Sequence, residues 1–301
     1  MTIRIGLKTS PQDVDWTTVD ATWRRAGELT GDPAAGGGFD SAWLNDHLTN
    51  MDADVPGPSL EALTLLGTLV HHVPGVQVGH AVLSNTFRHP VLLAKAAVVL
   101  DHATDGRFVL GLGAGWFEGE HEPFGLELAP IGRRIDALVS AVATLQALWS
   151  PAAAARPGVT RDDPFYPLRG AVNAPGPCTP GGPPIYLGGQ GPRGIRLAAR
   201  SAAGWLQPGT HAGNVAYFRE KREELATALE AAGRDPATFD VVAQVGTGAA
   251  ADARRAAVEA ARASVAAGAT HIVLGMPAAL GPAGLDEVVR DCLIPLREAT
   301  G

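Results

Sequence analysis

The chain is short of cysteine, of positive charge and of long hydrophobic runs, and each shortage excludes a class of protein. Its two cysteines, Cys178 and Cys292, give no disulfide framework and stand in no metal-ligand or Cys-x-x-Cys spacing. The most apolar segment, VLLAKAAVVL, is interrupted by Lys95 and is too short to cross a bilayer. The N-terminal MTIRIGLKTS lacks the apolar core of a signal peptide. We therefore expect a cytoplasmic protein.

The charge balance limits the partners. Lysine and arginine number 24 against 31 aspartate and glutamate residues, so the formal net charge is -7. Because nucleic acids and anionic membranes are recognised largely through basic faces, we expect neither as a partner. A hydrophobic fraction of 46% supplies a large core. The expected partner is a small-molecule substrate.

Short apolar, β-branched segments alternate with longer segments of helical period, a pattern typical of βα units around a parallel sheet. The eight predicted strands are residues 3–7, 40–44, 76–83, 108–112, 185–187, 205–207, 239–245 and 271–274. The eight predicted helices are residues 14–29, 59–71, 90–102, 131–149, 192–202, 212–232, 251–267 and 282–298. This count predicts an α/β protein, a single (β/α)8 TIM barrel domain over residues 1–301, with a doubly wound sheet as the competing architecture.

Residues 150–183 interrupt the alternation with a segment rich in Pro, Gly and Ala. We interpret it as an inserted loop before the fifth strand, because loops of this length in a compact domain are usually functional lids or disordered. Phe165 and Tyr166 are expected to anchor part of it over the barrel.

The stretch GQGPRG, residues 189–194, matches G-x-G-x-x-G between a predicted strand and a predicted helix. Glycines before a helix let backbone N–H groups approach a phosphate. A dinucleotide fold would carry an acidic residue roughly 20 residues later, but the first one here is Glu220, inside the following helix. The stretch therefore predicts a phosphate cradle without a ribose clamp, and VGTGA at residues 245–249 is the local alternative.

Active sites of barrels lie at the carboxyl ends of the strands. Asp46 and His47 follow the second predicted strand, where His47 could exchange a proton at neutral pH and Asp46 could orient it or contact a ligand. The alternative is a helix-capping Asp beside a surface His. His80 and His89 lie on different elements and make no metal set.

Glycines at 111, 113 and 115 end the fourth predicted strand and are followed by Trp116 and Phe117. Alternate glycines would let a flat ligand lie on the backbone between aromatic walls. The alternative is a glycine-tight barrel corner with core aromatics.

Three segments carry a family resemblance: FDSAWLNDHL, RHPVLLAKAAVVLDHATDGRFVLGLGAGWFEGEHEPFG and PPIYLGGQGPRGIRLAARSAAGW. They resemble the luciferase-like flavin-dependent oxidoreductases, and among these the actinobacterial branch that uses the deazaflavin coenzyme F420. The resemblance covers nearly the whole chain. The fold that it implies is a (β/α)8 barrel, in agreement with the strand count.

The resemblance also implies site residues. Asp46 and His47 match a pair beside the redox ring, where His47 would handle a proton. A non-proline cis peptide, Ala81–Val82, would support that ring. The matching coenzyme-binding positions are His80, Ala81, Val82, Gly113, Ala114, Gly115, Gly188, Gly189, Gln190 and Gly191.

Two positions depart from the F420-dependent sugar-phosphate dehydrogenases of this family. Trp116 stands where some relatives carry an acidic residue, and Met51 stands where they carry Trp. With Phe117, Trp116 suggests a pocket for a hydrophobic organic substrate.

We therefore predict an oxidoreductase that exchanges hydride between F420 and such a substrate. An FMNH2-dependent two-component monooxygenase and a flavin-binding barrel without turnover are the alternatives. The polyglutamyl tail of F420 would favour a cationic exit, for which Arg193 and Arg196 are candidates. The resemblance leaves open a reductase that supplies reduced coenzyme and a homodimer.

Overall fold

The computed structural model describes residues 3–51 and 57–300, which contain eleven strands and ten α-helices. The strands are β1 Arg4–Thr9, β2 Ser41–Leu44, β3 Gln77–His80, β4 Leu83–Ser84, β5 Phe108–Gly113, β6 Val159–Arg161, β7 Leu168–Ala171, β8 Ile185–Gly188, β9 Gly204–Leu206, β10 Asp240–Gly246 and β11 His271–Met276. The helices are α1 Trp16–Glu28, α2 Ala62–Leu69, α3 Pro90–Ala103, α4 Glu118–His121, α5 Ile131–Trp149, α6 Pro192–Ser201, α7 Val215–Ala231, α8 Ala251–Ala266, α9 Gly281–Val288 and α10 Ile294–Thr300.

The main sheet closes on itself. Parallel pairing runs in the order β3, β2, β1, β11, β10, β9, β8, β5, and β5 pairs again with β3 through Val78 and Phe108. This closure confirms the predicted (β/α)8 barrel. The doubly wound alternative is wrong, because such a sheet keeps two open edges.

The eight predicted strands and eight predicted helices are all present, and two of them are modified. The third predicted strand divides into β3 and β4, because the chain bends at Ala81–Val82 before Leu83 pairs with β5. The last predicted helix contains a π-helical turn, Val289–Leu293, between α9 and α10. No helix in the described ranges has the length and apolarity needed to cross a bilayer.

Side chains fill the barrel interior. Trp43, Val109, Tyr186, Val242 and Val273 belong to one buried cluster from five strands. Trp43 stacks on Tyr186 at a centroid distance of 6.1 Å. The interior is therefore packed, which leaves the carboxyl ends of the strands, here called the mouth, as the open end.

The opposite end of the interior, here called the floor, consists of Arg4, Asp240, Tyr186 and His271. Arg4 and the Tyr186 hydroxyl both donate to the carboxylate of Asp240. Burial lowers the pKa of His271 to about 3, so its ring is neutral. Arg4, Tyr186 and Asp240 thus pair with one another, and His271 Nε2 lies 2.8 Å from the Ser41 hydroxyl oxygen.

Residues 150–183 form more than a loop. A 3-10 turn at Pro151–Ala153 is followed by the antiparallel pair β6 and β7. The Tyr166 hydroxyl accepts a hydrogen bond of 3.3 Å from Asn85 at the mouth, and Arg133 lies over the Phe165 ring at 5.3 Å. Both aromatic residues thus attach this segment to the barrel.

Candidate active site

The first element of the site is an imidazole held by a buried carboxylate. His47, just beyond β2, places Nδ1 3.1 Å from both carboxylate oxygens of Glu120 on α4. The side chain of Glu120 is 2% exposed and that of His47 13%. Glu120 also accepts the backbone N–H of Leu48 at 2.9 Å. With Nδ1 directed at the carboxylate, Nε2 is the nitrogen left for a ligand.

The sequence alone did not identify Glu120 as a candidate site residue. It lies 73 residues from His47, and neither helical period nor spacing links the two. The available signal was its place in WFEGEHEPFG, directly after a strand that ends at the mouth.

Asp46 does not orient the His47 ring, which was one of its two expected roles, and its contact with a ligand stays a prediction. Its carboxylate is buried and accepts from Arg88 at 2.6 and 2.9 Å and from the backbone N–H of Ser84 at 2.8 Å. It therefore ties the segment after β2 to the end of β4, and the partner of the His47 ring is Glu120. Asp46 is also not the helix cap of the alternative interpretation.

The expected cis peptide is present at Ala81–Val82. Its Val82 side chain packs between β5 and β8: a Cβ at Gly113 would lie 2.9 Å from a Val82 methyl, and one at Gly188 would lie 3.2 Å away. These glycines thus make room for the chain's own bend. Val82 occupies the space that a Gly113 side chain would take, and coenzyme contact with the Gly113 backbone stays a prediction.

His80 lies on the helix side of the barrel wall. Its Nε2 is 3.1 Å from the carbonyl oxygen of Ala62 on α2, and its ring meets Phe108 edge to face. Burial lowers the pKa of His80 to about 4. The ring is therefore a neutral core group, and only the backbone of His80 adjoins the bend.

The turn after β5 is held against β4. Gly115 has a φ of 75°, and a Cβ there would lie 2.7 Å from the hydroxyl oxygens of Ser84 and Thr86. Arg134 on α5 donates to the Gly115 carbonyl. Ala114 packs against the outer core. The glycine-tight corner is thus correct for this backbone.

The aromatic residues that follow are not core residues. Trp116 is 53% exposed and meets the His47 ring edge to face at 6.1 Å. Phe117 contacts Trp116 at a centroid distance of 5.4 Å. Together they form an apolar wall beside the imidazole.

The segment after β8 has the features of an anion site. Gly191 is the N-cap of α6, with φ of -84° and no side-chain capping hydrogen bond. A Cβ on Gly191 would meet nothing within 4 Å, whereas Gly189 and Gly194 approach each other closely. The amide oxygen of Gln190 lies 3.1 Å from His211 Nε2. Uncapped N–H groups at a helix N-terminus attract anions.

The two proposed exit cations do not extend this cradle. Arg193 forms an ion pair with Asp136 on α5. Arg196 is exposed and lines a groove of about 440 Å³ between α6 and α7, in the outer helical layer. Neither supplies an unpartnered charge at the mouth.

Two further polar groups at the mouth were not predicted. Asn85 Oδ1 is buried without a hydrogen-bond partner among the described residues. Lys8 Nζ, at the end of β1, donates to Gln244 Oε1 of β10 at 2.5 Å. Burial lowers the pKa of Lys8 to about 8.

A closed barrel with an oriented imidazole and a glycine-rich turn before α6 at the carboxyl ends of its strands has the architecture of a (β/α)8 enzyme. The chain matches the luciferase-like monooxygenase family over residues 3–285. It therefore belongs to that family, as its sequence resemblance predicted.

Two curated proteins are similar to this chain over more than half of its length. A phthiodiolone/phenolphthiodiolone dimycocerosates ketoreductase of Mycobacterium tuberculosis (strain ATCC 25618 / H37Rv) is 32% identical over 217 residues, 66% of this chain and 54% of the relative. An F420-dependent glucose-6-phosphate dehydrogenase of Microbacterium testaceum (strain StLB037) is 36% identical over 171 residues, 56% of this chain and 48% of the relative. The chain thus spans about half the length of these curated relatives.

Among solved structures, an F420-dependent secondary alcohol dehydrogenase in complex with an F420-acetone adduct matches with a TM-score of 0.78. Its sequence is 19% identical, and the match covers 97% of this chain and 99% of that chain. This likeness supports the barrel fold over its whole length.

Proposed function

We propose that this protein is an oxidoreductase that uses coenzyme F420. Its substrate is a hydrophobic organic molecule, whose ketone and secondary alcohol forms the protein interconverts. The observation that carries the proposal is the His47–Glu120 pair, whose open imidazole edge lies beside Trp116. The names of the similar proteins, a ketoreductase, an F420-dependent dehydrogenase and a secondary alcohol dehydrogenase, support both the coenzyme and the reaction.

Features of the mouth fit a ring coenzyme that carries a phosphate. The α6 N-terminus has no side-chain capping hydrogen bond from any residue that the structure describes, and a Cβ on Gly191 would meet open space. Asn85 Oδ1 is a buried acceptor without a hydrogen-bond partner in the described part of the chain. In this proposal the backbone of residues 188–191 binds the phosphate, and the Ala81–Val82 bend supports the ring. Bound F420 supplies a carbon centre that gives or accepts a hydride.

His47 moves the accompanying proton. In the reducing direction its Nε2–H donates to the carbonyl oxygen, and in the oxidising direction neutral Nε2 accepts the hydroxyl proton. Glu120 accepts Nδ1–H and so holds the ring with Nε2 directed away from the carboxylate. Trp116 and Phe117 pack against the apolar part of the substrate and exclude water from it.

The test is a side-by-side fluorescence titration with F420 and FMN, followed by turnover assays with secondary alcohols and ketones. We expect F420 to bind more tightly than FMN, and coenzyme reduction to accompany alcohol oxidation. Micromolar FMN binding with no response to F420 would contradict the proposal.

A second candidate is an FMNH2-dependent two-component monooxygenase, supplied by a separate reductase. The family description favours it, and the cradle after β8 would bind the phosphate of either coenzyme. Oxygen consumption with FMNH2 would identify this reaction. Tight coenzyme binding without turnover of any substrate would instead indicate a flavin-binding barrel.

A further inference from the structure

Strands β1 and β10 bring a cation and a polar partner together at two levels of the barrel. Arg4 faces Asp240 at the floor. Lys8 and Gln244, each four residues further along its strand, face each other at the mouth. Because side chains four apart on a strand point to the same face, both pairs project into the interior. The partner is a carboxylate at the floor and a neutral amide at the mouth.

The Lys8 ammonium has an uncharged hydrogen-bond partner in Gln244. No carboxylate in the described ranges forms an ion pair with it, and burial is the cause of its lowered pKa. Gln244 is fixed, because its amide nitrogen donates to the Gln207 carbonyl while its oxygen accepts from Lys8. An ammonium has three N–H donors, so two remain for a ligand.

Two glycines lie beside the Lys8 side chain, so no side chain from either position covers it. A Cβ on Gly209 would lie 3.5 Å from Lys8 Nζ, and one on Gly275 would lie 3.5 Å from Lys8 Cε. Lys8 is in register with Trp43 on β2, the strand that leads to His47. The ammonium is thus at the same open end of the barrel as the imidazole.

We propose that Lys8 and Gln244 form an oxyanion subsite, in which the Lys8 ammonium binds a negatively charged or polarised oxygen of a ligand at the mouth. The identity of that ligand rests on the proposed function. The oxygen belongs either to the pyrimidine ring of the coenzyme or to the substrate. A cation at either position favours the electron-rich form of the bound molecule.

The experiment uses the full chain labelled with 13C-lysine, whose three lysines, Lys8, Lys95 and Lys221, give three resolvable signals. The Lys8 signal is titrated against pH alone, with F420, and with acetate as a simple oxyanion. We expect a bound oxyanion to raise the titration midpoint of Lys8 and to leave that of exposed Lys95 unchanged.

Two variants and one control complete the test. Lys8→Met removes the ammonium charge. Gln244→Glu places a carboxylate beside the ammonium, so that the pair has no net charge. Each substitution should weaken binding of whichever ligand, F420 or acetate, shifts the titration of Lys8. The expected loss of affinity is about tenfold or more, the contribution of one charge-assisted hydrogen bond. Lys95→Met, on the exposed face of α3, should bind as the parent does.

The F420 and acetate titrations show which molecule supplies the oxygen, and they test the subsite separately from the proposed function. A response to F420 assigns the oxygen to the coenzyme, and a response to acetate alone assigns it to the substrate. If neither ligand shifts Lys8 and Lys8→Met binds F420 like the parent, the subsite is wrong while the proposed function stands. If F420 does not bind the parent, the proposed function fails, and the acetate arm still decides the subsite.

Discussion

At the floor of the barrel Arg4 meets Asp240 and Tyr186, and at the mouth, four residues further along the same two strands, Lys8 meets Gln244. Asp240 neutralises the charge of Arg4 at the floor, so this cation needs no ligand. Among the described residues, the hydrogen-bond partner of the mouth cation is the neutral amide of Gln244, and burying a charge without an ionic partner costs stability. Arg4 and Asp240 thus form a structural ion pair, whereas we propose that a bound ligand pairs with the charge of Lys8.

The same distinction applies to the carboxylates near His47. Asp46 has its acceptor positions taken by Arg88 and Ser84, whereas Glu120 holds an imidazole whose other edge is open. Position in sequence made Asp46 the obvious partner of His47. The hydrogen bonds assign that place to Glu120.

The largest expected effect concerns His47. His47→Ala should lower turnover about 10²–10⁴-fold, the usual contribution of a proton-transfer group, with little change in coenzyme affinity. The control is His71→Ala, because exposed His71 precedes β3 and so lies at the end of the barrel away from the mouth. A His47→Ala rate within about threefold of the parent would remove His47 from catalysis.

The next effect concerns the cradle. Gly191→Val should weaken coenzyme binding strongly, because branched methyls would fill the space in front of the α6 N–H groups. Gly246→Val at the end of β10 is the matched control, since its Cβ also meets open space. Gly248 is unsuitable, because its φ of 62° would strain any side chain. Loss of binding in Gly246→Val alone would place the phosphate after β10.

Asp240→Asn tests the floor. Although burial opposes ionisation, hydrogen bonds from Tyr186 and Arg4 lower the pKa of Asp240, so it stabilises the fold above its unfolded-state pKa. Because Arg4 and Asp240 are partly exposed, we expect a loss of about 1–3 kcal/mol in urea unfolding at pH 7, shrinking in acid. Coenzyme affinity of the folded fraction should not change.

Lys8→Met should have the smallest effect on stability and the opposite sign. Burial lowers the pKa of Lys8 from its usual 10.5 to about 8, so the unfolded chain binds more protons and stability rises with pH from about 8 to 10.5. Removing the amine should stabilise the protein by about 1–2 kcal/mol at pH 7 and abolish that rise. Equal unfolding curves for parent and Lys8→Met from pH 7 to 10.5 would show that the charge is compensated.

Much of the fold could be predicted because its signals are local. Strands such as Phe108–Gly113 are short apolar runs next to helices of clear 3.6-residue period, and their number favours a barrel. The family resemblance added the cis bond at Ala81–Val82, which no propensity indicates. The β6–β7 hairpin was missed because residues 150–183 carry Pro and Gly and little alternation.

By itself, the sequence determined the alternation of strands and helices, the glycine-rich turn before α6 and the position of His47 beyond β2, since each depends on neighbouring residues. Only the tertiary structure decided the pairings. It brought Glu120 to His47 across 73 residues, turned the His80 ring toward α2, and filled the space beside Gly113 with Val82. It also set Lys8 against an amide, because barrel closure and strand register, which act between distant segments, determine which inward side chains meet.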